Sequence, residues 1–268
     1  MRGSIPTPGT ATRRFGGNTP CVEVRCGSQT LLFDLGTGSQ GLGRRLQAGN
    51  KPVRAAIFFT HYHYDHLQGL PFFTPFYNPK NRFRLFGAAR EGRSAESIIR
   101  GQMVPPYFPV SADAFRAQMR YADVKGDQTL RIGAVRVRTF ELNHPGGCLA
   151  YRVDYRGRSF VFATDSEFGS DRDAPFATFA RNADVLVYDG MYTEDEYAGR
   201  VGPPRKGWGH STWNDAIRAA DAAGAKHLVI YHHEPSRDDA GMQQLERDAR
   251  RVRKQGLSVA REAGVLRI

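Results

Sequence analysis

Cysteine is scarce in this chain, and two kinds of hydrophobic segment are missing from it. Only Cys21, Cys26 and Cys148 occur among 268 residues. An odd count in a chain long enough to bury its own core excludes a disulfide framework, and free buried thiols in a reducing compartment are expected. No segment approaches the ~18 consecutive apolar residues of a transmembrane helix. The start, from Met1 to Gly9, lacks the apolar h-region of a secretory signal. A cytoplasmic protein with no membrane partner is therefore expected. Internal repeats and linker-like stretches are also lacking, and a hydrophobic content of 40% with 24% charged residues shows none of the depletion that produces disorder. One α/β domain spanning residues 1–268 accounts for the length.

Acidic residues are the scarcer charge, 27 against 38 lysines and arginines, for a net charge of +11. A field of that sign attracts nucleic acid or another phosphorylated substrate. The cations are mostly arginine and are scattered along the chain, so charge alone does not select nucleic acid as the main partner.

Against this background one stretch stands out. Thr60-His61-Tyr62-His63-Tyr64-Asp65-His66 packs three imidazoles and a carboxylate directly behind an apolar run, and neither helix nor strand periodicity generates it. In an extended or loop conformation alternate side chains share a face, so His61 and His63 converge on one point while Asp65 and His66 reach a second point beside it. That is a layout for two adjacent metal ions. Imidazole suits zinc, iron, cobalt or nickel, and the carboxylate adds an oxygen ligand that manganese also accepts. The competing reading is a polar loop of solvated histidines, which the clustering in a chain with eight histidines disfavours.

The apolar run Ala55 to Phe59 predicts a buried strand that delivers this cluster at its carboxyl end. Two later segments repeat the design. Phe160 to Thr164 ends on Asp165, and Leu228 to Tyr231 ends on His232-His233. Ligands in layered α/β folds collect at strand carboxyl ends, so the three are expected to converge. Val22 to Val24 and Leu31 to Phe33 read as a hairpin turning at Gly27-Ser28, and Leu149 to Tyr155 with Arg158 to Thr164 as a second one around Arg156-Gly157. Val135, Val137 and Thr139 alternate with arginines in a half-exposed strand, and Val185 to Tyr188 is a further strand. Thr212 predicts the N-cap of a helix with Trp213, Ala216, Ile217 and Ala220 on one face and Gly224 at its end. Beyond Gly241, Leu245 to Arg253 predicts a surface helix. Between the His cluster and Asp113 the prolines and aromatics read as irregular. There Phe72, Phe73, Phe76, Tyr77, Tyr107 and Phe108 line a substrate pocket or pack as core, two readings the spacing does not separate.

His-x-His-x-Asp-His resembles the signature of the metallo-β-lactamase fold hydrolases, and its flanks are similar to the branch containing ribonuclease Z, phosphonate-pathway cyclic phosphodiesterases and class II cyclic nucleotide phosphodiesterases. The resemblance extends from about Gly9 to about Asp239. It implies a four-layer αββα sandwich in a single domain and a cofactor of two divalent metal ions, zinc or manganese. On the family's pattern His61, His63 and His144 hold one ion, Asp65, His66 and His232 the other, and Asp165 bridges them. His233 competes with His232 for the last place, because adjacent residues point to opposite sides of an extended chain. Asp34, in Asp34-Leu35-Gly36-Thr37-Gly38, matches the family aspartate that sits under the metal loop and orients it; its other reading is a turn residue.

The resemblance also implies the chemistry, hydrolysis by a metal-bridging hydroxide with Asp65 receiving a proton. Gly209-His210-Ser211-Thr212 places His210 before a helix N-terminus, where relatives use a histidine as phosphate ligand or general acid; its other reading is a helix-cap residue. The leading expectation is a phosphodiesterase acting on a cyclic nucleotide or other small nucleotide-like phosphodiester. The alternatives are a ribonuclease acting on short RNA and a lactone, thioester or β-lactam hydrolase on the same metals. Full tRNA processing is disfavoured, since that family carries a long arm between the equivalents of His144 and Asp165, where this chain has only a short hairpin. Relatives are often dimers, so a homodimer is the assembly the resemblance suggests.

Overall fold

Apolar and aromatic runs punctuated by glycine and asparagine turns build two sheets, one in each of the two units into which the chain divides: residues 19–125, and residues 1–18 with 126–268. The computed structural model describes residues 1–49 and 51–268.

In residues 19–125 the sheet has five strands in sequence order: β1 (Val22–Cys26), β2 (Gln29–Phe33), β3 (Arg54–Phe58), β4 (Arg82–Ala88) and β5 (Gln118–Val124). β1 and β2 form the expected hairpin, with Gly27 at φ 60° in its turn. From β2 onward all pairings are parallel. On one face Phe33, Phe58 and Phe86 stack across three strands, with ring centroids 5.4 and 4.8 Å apart. On the other, Leu32, Ile57 and Leu85 join a core with Phe73, Phe76 and Phe83, whose rings meet edge to face. The α-helices among the described residues of this unit are α1 (Ser39–Gln47), α2 (Tyr64–Leu67) and α3 (Ala95–Arg100).

The stretch before Asp113 is more regular than its prolines suggest, because it contains β4 and α3. In β4 the arginines at 82 and 84 are exposed while Phe83 and Leu85 are buried, an ordinary half-buried alternation. The aromatics in this stretch divide between the two readings. Phe73 and Phe76 are fully buried core; Phe72, Tyr77 and Tyr107 are exposed, and Phe108 lies partly buried against the core with its ring edge-on to Phe72.

In the other unit the sheet has seven strands: β6 (Thr129–Ile132), β7 (Val135–Leu142), β8 (Cys148–Tyr155), β9 (Arg158–Ala163), β10 (Val185–Asp189), β11 (His227–Tyr231) and β12 (Leu257–Val259), again in sequence order. β6 to β9 are antiparallel and β9 to β12 parallel. The β8–β9 turn has Arg156 at φ 48° and Gly157 at φ 74°, the left-handed pair that closes a tight hairpin. The helices are α4 (Asp173–Phe179), α5 (Glu194–Tyr197), α6 (Trp213–Ala222) and α7 (Asp239–Val252).

α6 begins where expected. Thr212 caps it, its hydroxyl accepting from Asp215 N while Asp215 accepts from Thr212 N. Its buried face, with Ala216, Ile217 and Ala220, joins the core of Val161, Leu186, Leu228 and Ile230, where each large apolar side chain contributes about 1.5–3 kcal/mol. α7 starts earlier than its apolar residues indicate, because Asp238 caps it and Gly241 falls in the first turn.

Candidate metal centre

In residues 19–125 the cluster is delivered by β3. The strand stops at Phe58, and His61 and His63 follow in extended and loop backbone; one helical turn, α2, then carries Asp65 and His66. Asp34, directly after β2, lies beneath. Its Oδ1 accepts from Thr60 N at 2.8 Å, and its Oδ2 accepts from Thr60 Oγ1 at 2.9 Å and from His66 Nδ1 at 2.8 Å. The Thr60 oxygen lies 3.0 Å from His61 Nδ1. With the Thr60 proton donated to Asp34, that contact must run from His61 to Thr60. Both rings then carry their proton on Nδ1 and keep Nε2 basic, the tautomer that binds a metal through Nε2.

Burial raises the Asp34 carboxyl above the ordinary range, against the opposing pull of His66 and Thr60. The rings of His61 and His63 lie 4.5 Å apart and those of His61 and His66 4.2 Å apart. His66 Nε2 is 3.1 Å from Asp65 Oδ2. With the His66 proton on Nδ1, two electron-pair donors face each other there, an arrangement suited to a shared cation. Gly36 is required below this loop, since a Cβ there would stand 2.2 Å from the Asp65 carbonyl.

The second unit supplies its residues from separate strand and helix ends: His144 after β7, Asp165 after β9, His232 after β11 and His210 before α6. His144, Asp165 and His210 each bring a ligand atom within 4.8 Å of the others, as do Asp189, His210 and His232. His232 Nε2 is 3.3 Å from Asp165 Oδ2, whereas His233 Nε2 bonds the Ala260 carbonyl at 2.9 Å, so it is His232 that shares the cluster. His144 Nδ1 donates to the Gly209 carbonyl at 2.9 Å, and a Cβ on Gly209 would meet that nitrogen at 2.1 Å. The 207–209 backbone is itself pinned by buried Glu167, which accepts from Gly207 N and Gly209 N at 2.8 and 3.0 Å.

His210 Nδ1 pairs with Asp189 Oδ2 at 2.7 Å, and its ring stacks on His232 with centroids 4.9 Å apart. Asp189 also accepts from Met191 N and Ser166 N, so the carboxylate is fixed before it orients the imidazole. The cap of α6 is Thr212, and His210 is held by Asp189 instead of capping the helix.

Within each unit the residues expected at the site come together, and Asp34 makes the orienting bonds expected of it. Asp189 and Glu167 carry no role in the sequence reading. Asp189 ends an apolar strand as Asp165 nearly does, and that shared position was the available signal; Glu167 had none. A third regularity lies in the backbone. Asp34, Asp165 and His232 all adopt left-handed conformations, with φ of 59°, 54° and 59°. Each closely follows a strand, and the reversal turns its side chain into the cluster.

Comparison with known proteins agrees with this architecture. A family model described as the beta-lactamase superfamily domain matches residues 29–233. The ribonuclease Z of Pyrococcus furiosus is 23% identical, with 81% of each chain covered. That of Thermoplasma acidophilum is 25% identical over 93% of this chain and 88% of the relative. Among solved structures, the metallo-β-lactamase fold protein YhfI from Bacillus subtilis superposes with a TM-score of 0.72 at 19% identity, covering 97% of this chain and 93% of the other. The short form of human tRNase Z gives 0.69 at 20% identity over 100% and 98%. Zn(2+)-bound PqqB from Methylobacterium extorquens gives 0.65 at 16% over 94% and 87%. The two sheets with their helices are those of the metallo-β-lactamase fold.

Proposed function

The chain belongs to the β-lactamase superfamily, and from that premise we propose that it is a metal-dependent hydrolase of phosphodiesters whose two clusters act as one centre. On this reading His61, His63 and His144 would hold one divalent ion, Asp65, His66 and His232 the other, and Asp165 would serve both. Five imidazoles and two carboxylates without a thiolate suit zinc or manganese, and the oxygen-bound Nδ1 atoms of His61, His66 and His144 leave the other ring nitrogen basic. When bound, such a pair of ions supplies Lewis acidity and lowers the pKa of water. The side chains do the rest: Asp65 accepts the proton of the attacking water, and His210, oriented by Asp189, donates to the leaving oxygen.

The single observation carrying the phosphodiester reading is the Asp189–His210 pair at the entrance to α6, a donor that hydrolysis of a lactone, thioester or β-lactam does not require. The two-residue turn between β8 and β9 favours a small nucleotide-like or cyclic phosphodiester. A ribonuclease acting on short RNA is the second reading, supported by curated relatives named ribonuclease Z. A single catalytic domain, a homodimeric assembly and a cytoplasmic location complete the proposal. None of the three cysteines is in a disulfide, and no helix among the described residues is long and apolar enough to cross a membrane.

The test is turnover of bis-p-nitrophenyl phosphate, a cyclic nucleotide and a short RNA, beside a lactone and a β-lactam, by protein loaded with zinc or manganese. Phosphodiester cleavage is expected, abolished in Asp165→Ala. In His210→Ala it should fall about 10²–10⁴-fold with metal content intact. Turnover confined to the carbonyl substrates would transfer the assignment to that chemistry, and unchanged turnover in His210→Ala would remove its role.

A further inference from the structure

The parallel strands that end on Asp165 and His232 begin in a different environment. Around the start of β9, the β8–β9 turn and the loops entering β10 and β11 lies a cavity of about 450 Å³. Six cations line it (Arg131, Arg136, Arg152, Arg156, Arg158 and Lys226) against two carboxylates, Asp154 and Asp184, for a net lining charge of six minus two, or +4. Arg158 opens β9 and Asp165 follows its end, so the cavity lies roughly 20 Å along the strand from that ligand, at about 3.3 Å per residue.

The carboxylates are outnumbered. Asp154 is shared by Arg136, Arg138 and Arg152 at 3.5, 3.3 and 3.0 Å, and Asp184 by Lys226 and Arg158 at 2.8 and 3.6 Å. Arg131 and Arg156 have no ion pair among the described residues; the Arg156 guanidinium lies over the Tyr155 ring. The register adds a second, independent signal. Arg131 stands directly opposite Arg136 across β6 and β7, and Arg138 directly opposite Arg152 across β7 and β8. Like charges in facing positions destabilise a sheet, so two such pairs in adjoining strands are a structure that an anion would relieve. One of these cations is already engaged: Arg152 also donates to the Phe179 and Arg181 carbonyls. Arg131, Arg136, Arg156, Arg158 and Lys226 remain exposed enough to reach a ligand.

We propose that this cavity is a binding site for an oligophosphate group, as carried by a nucleoside triphosphate or present in free tripolyphosphate, separate from the metal ligands. A single phosphate would leave most of the cations unmatched, and planar guanidinia converging from several segments suit bidentate contacts to successive phosphates. The volume is that of a small-molecule pocket rather than of an extended track for a nucleic-acid backbone.

Calorimetric titration of the metal-loaded protein with tripolyphosphate, ATP, sulfate and a single-stranded oligoribonucleotide tests it, with the double variant Arg131→Gln/Arg136→Gln in parallel. Tripolyphosphate and ATP should bind more tightly than sulfate. The variant should weaken them about tenfold for each arginine removed, the equivalent of one charge-assisted hydrogen bond, while bis-p-nitrophenyl phosphate turnover stays unchanged. Tighter binding of ATP than of tripolyphosphate would make the nucleotide the source of the group, and equal affinities the free oligophosphate. Without ligand the variant should melt higher than the parent, because the facing charges are gone, and its Tm should no longer rise with tripolyphosphate. Unchanged affinity in the variant, sulfate binding as well as tripolyphosphate, or an oligoribonucleotide outcompeting both phosphates would each overturn the proposal, the last in favour of a nucleic-acid surface.

Discussion

The two ligand clusters are built in opposite ways. Between residues 60 and 66 four side chains come from one short segment, and one carboxylate, Asp34, orients two of them, His66 directly and His61 through the Thr60 hydroxyl. In the second unit His144, Asp165, His210 and His232 come from four separate places. There the braces are separate too: the Gly209 carbonyl holds His144, and Asp189 holds His210. A contiguous cluster therefore has a common point of failure, whereas a dispersed one fails a residue at a time.

The largest expected effect would break that contrast. Asp34→Ala should weaken metal retention about 10–100-fold, measured by competition with a chelator, because His61 and His66 lose their orientation together. Asp189→Ala should leave retention close to the parent and lower turnover by about tenfold, since His210 is the side chain it orients. Equal loss of metal in both would show that the two clusters depend on their braces in the same way.

A smaller effect separates His210 from the helix it precedes. Thr212→Ala removes the cap of α6 and should destabilise the protein by about 1 kcal/mol in denaturant unfolding, with turnover retained. Loss of turnover at full stability would mean that the cap positions His210.

The smallest concerns Asp184, a buried carboxylate of the second unit at a strand start rather than a strand end. Burial works to raise its carboxyl, but bonds from Lys226 and from Ser159 hold it below the ordinary value of 3.8. A carboxyl depressed in the folded state binds its proton more readily in the unfolded one. The stabilisation is thus complete above that value and is lost as pH falls through the folded value. Asp184→Asn should flatten the acid limb of the stability–pH curve below about pH 4 and leave turnover at neutral pH alone. An unchanged acid limb would remove the contribution assigned to this carboxylate.

The same contrast decides what could be read from the sequence. His61 and His63 were legible because alternate residues of an extended segment share a face, whereas Asp65 and His66 stand on a helical turn, α2, that the extended reading did not contain. Asp165 and His232 were legible through the apolar runs that end on them, and His144 only through resemblance, since β7 alternates with arginine and ends without such a run. The choice between His232 and His233 required the fold, because it turns on a backbone reversal and on the Ala260 carbonyl that takes up His233. Asp189 was hidden because an aspartate followed by glycine also signals a turn. Among the elements, α1 was obscured by Gly41 and Gly43 within it, and β4 by the prolines around it. Expectations that rest on local periodicity, such as the two hairpins and α6, matched closely.

The left-handed backbone at Asp34, Asp165 and His232 carries a consequence for any attempt to improve this protein. Each non-glycine residue in that conformation is disfavoured by roughly 1–2 kcal/mol, a strain glycine would relieve. Selection for heat resistance alone would therefore drift toward glycine at these three positions and erase the side chains that converge there. Laboratory evolution of this scaffold has to be scored on catalysis in every round, because its quickest routes to robustness run through the residues it can least spare.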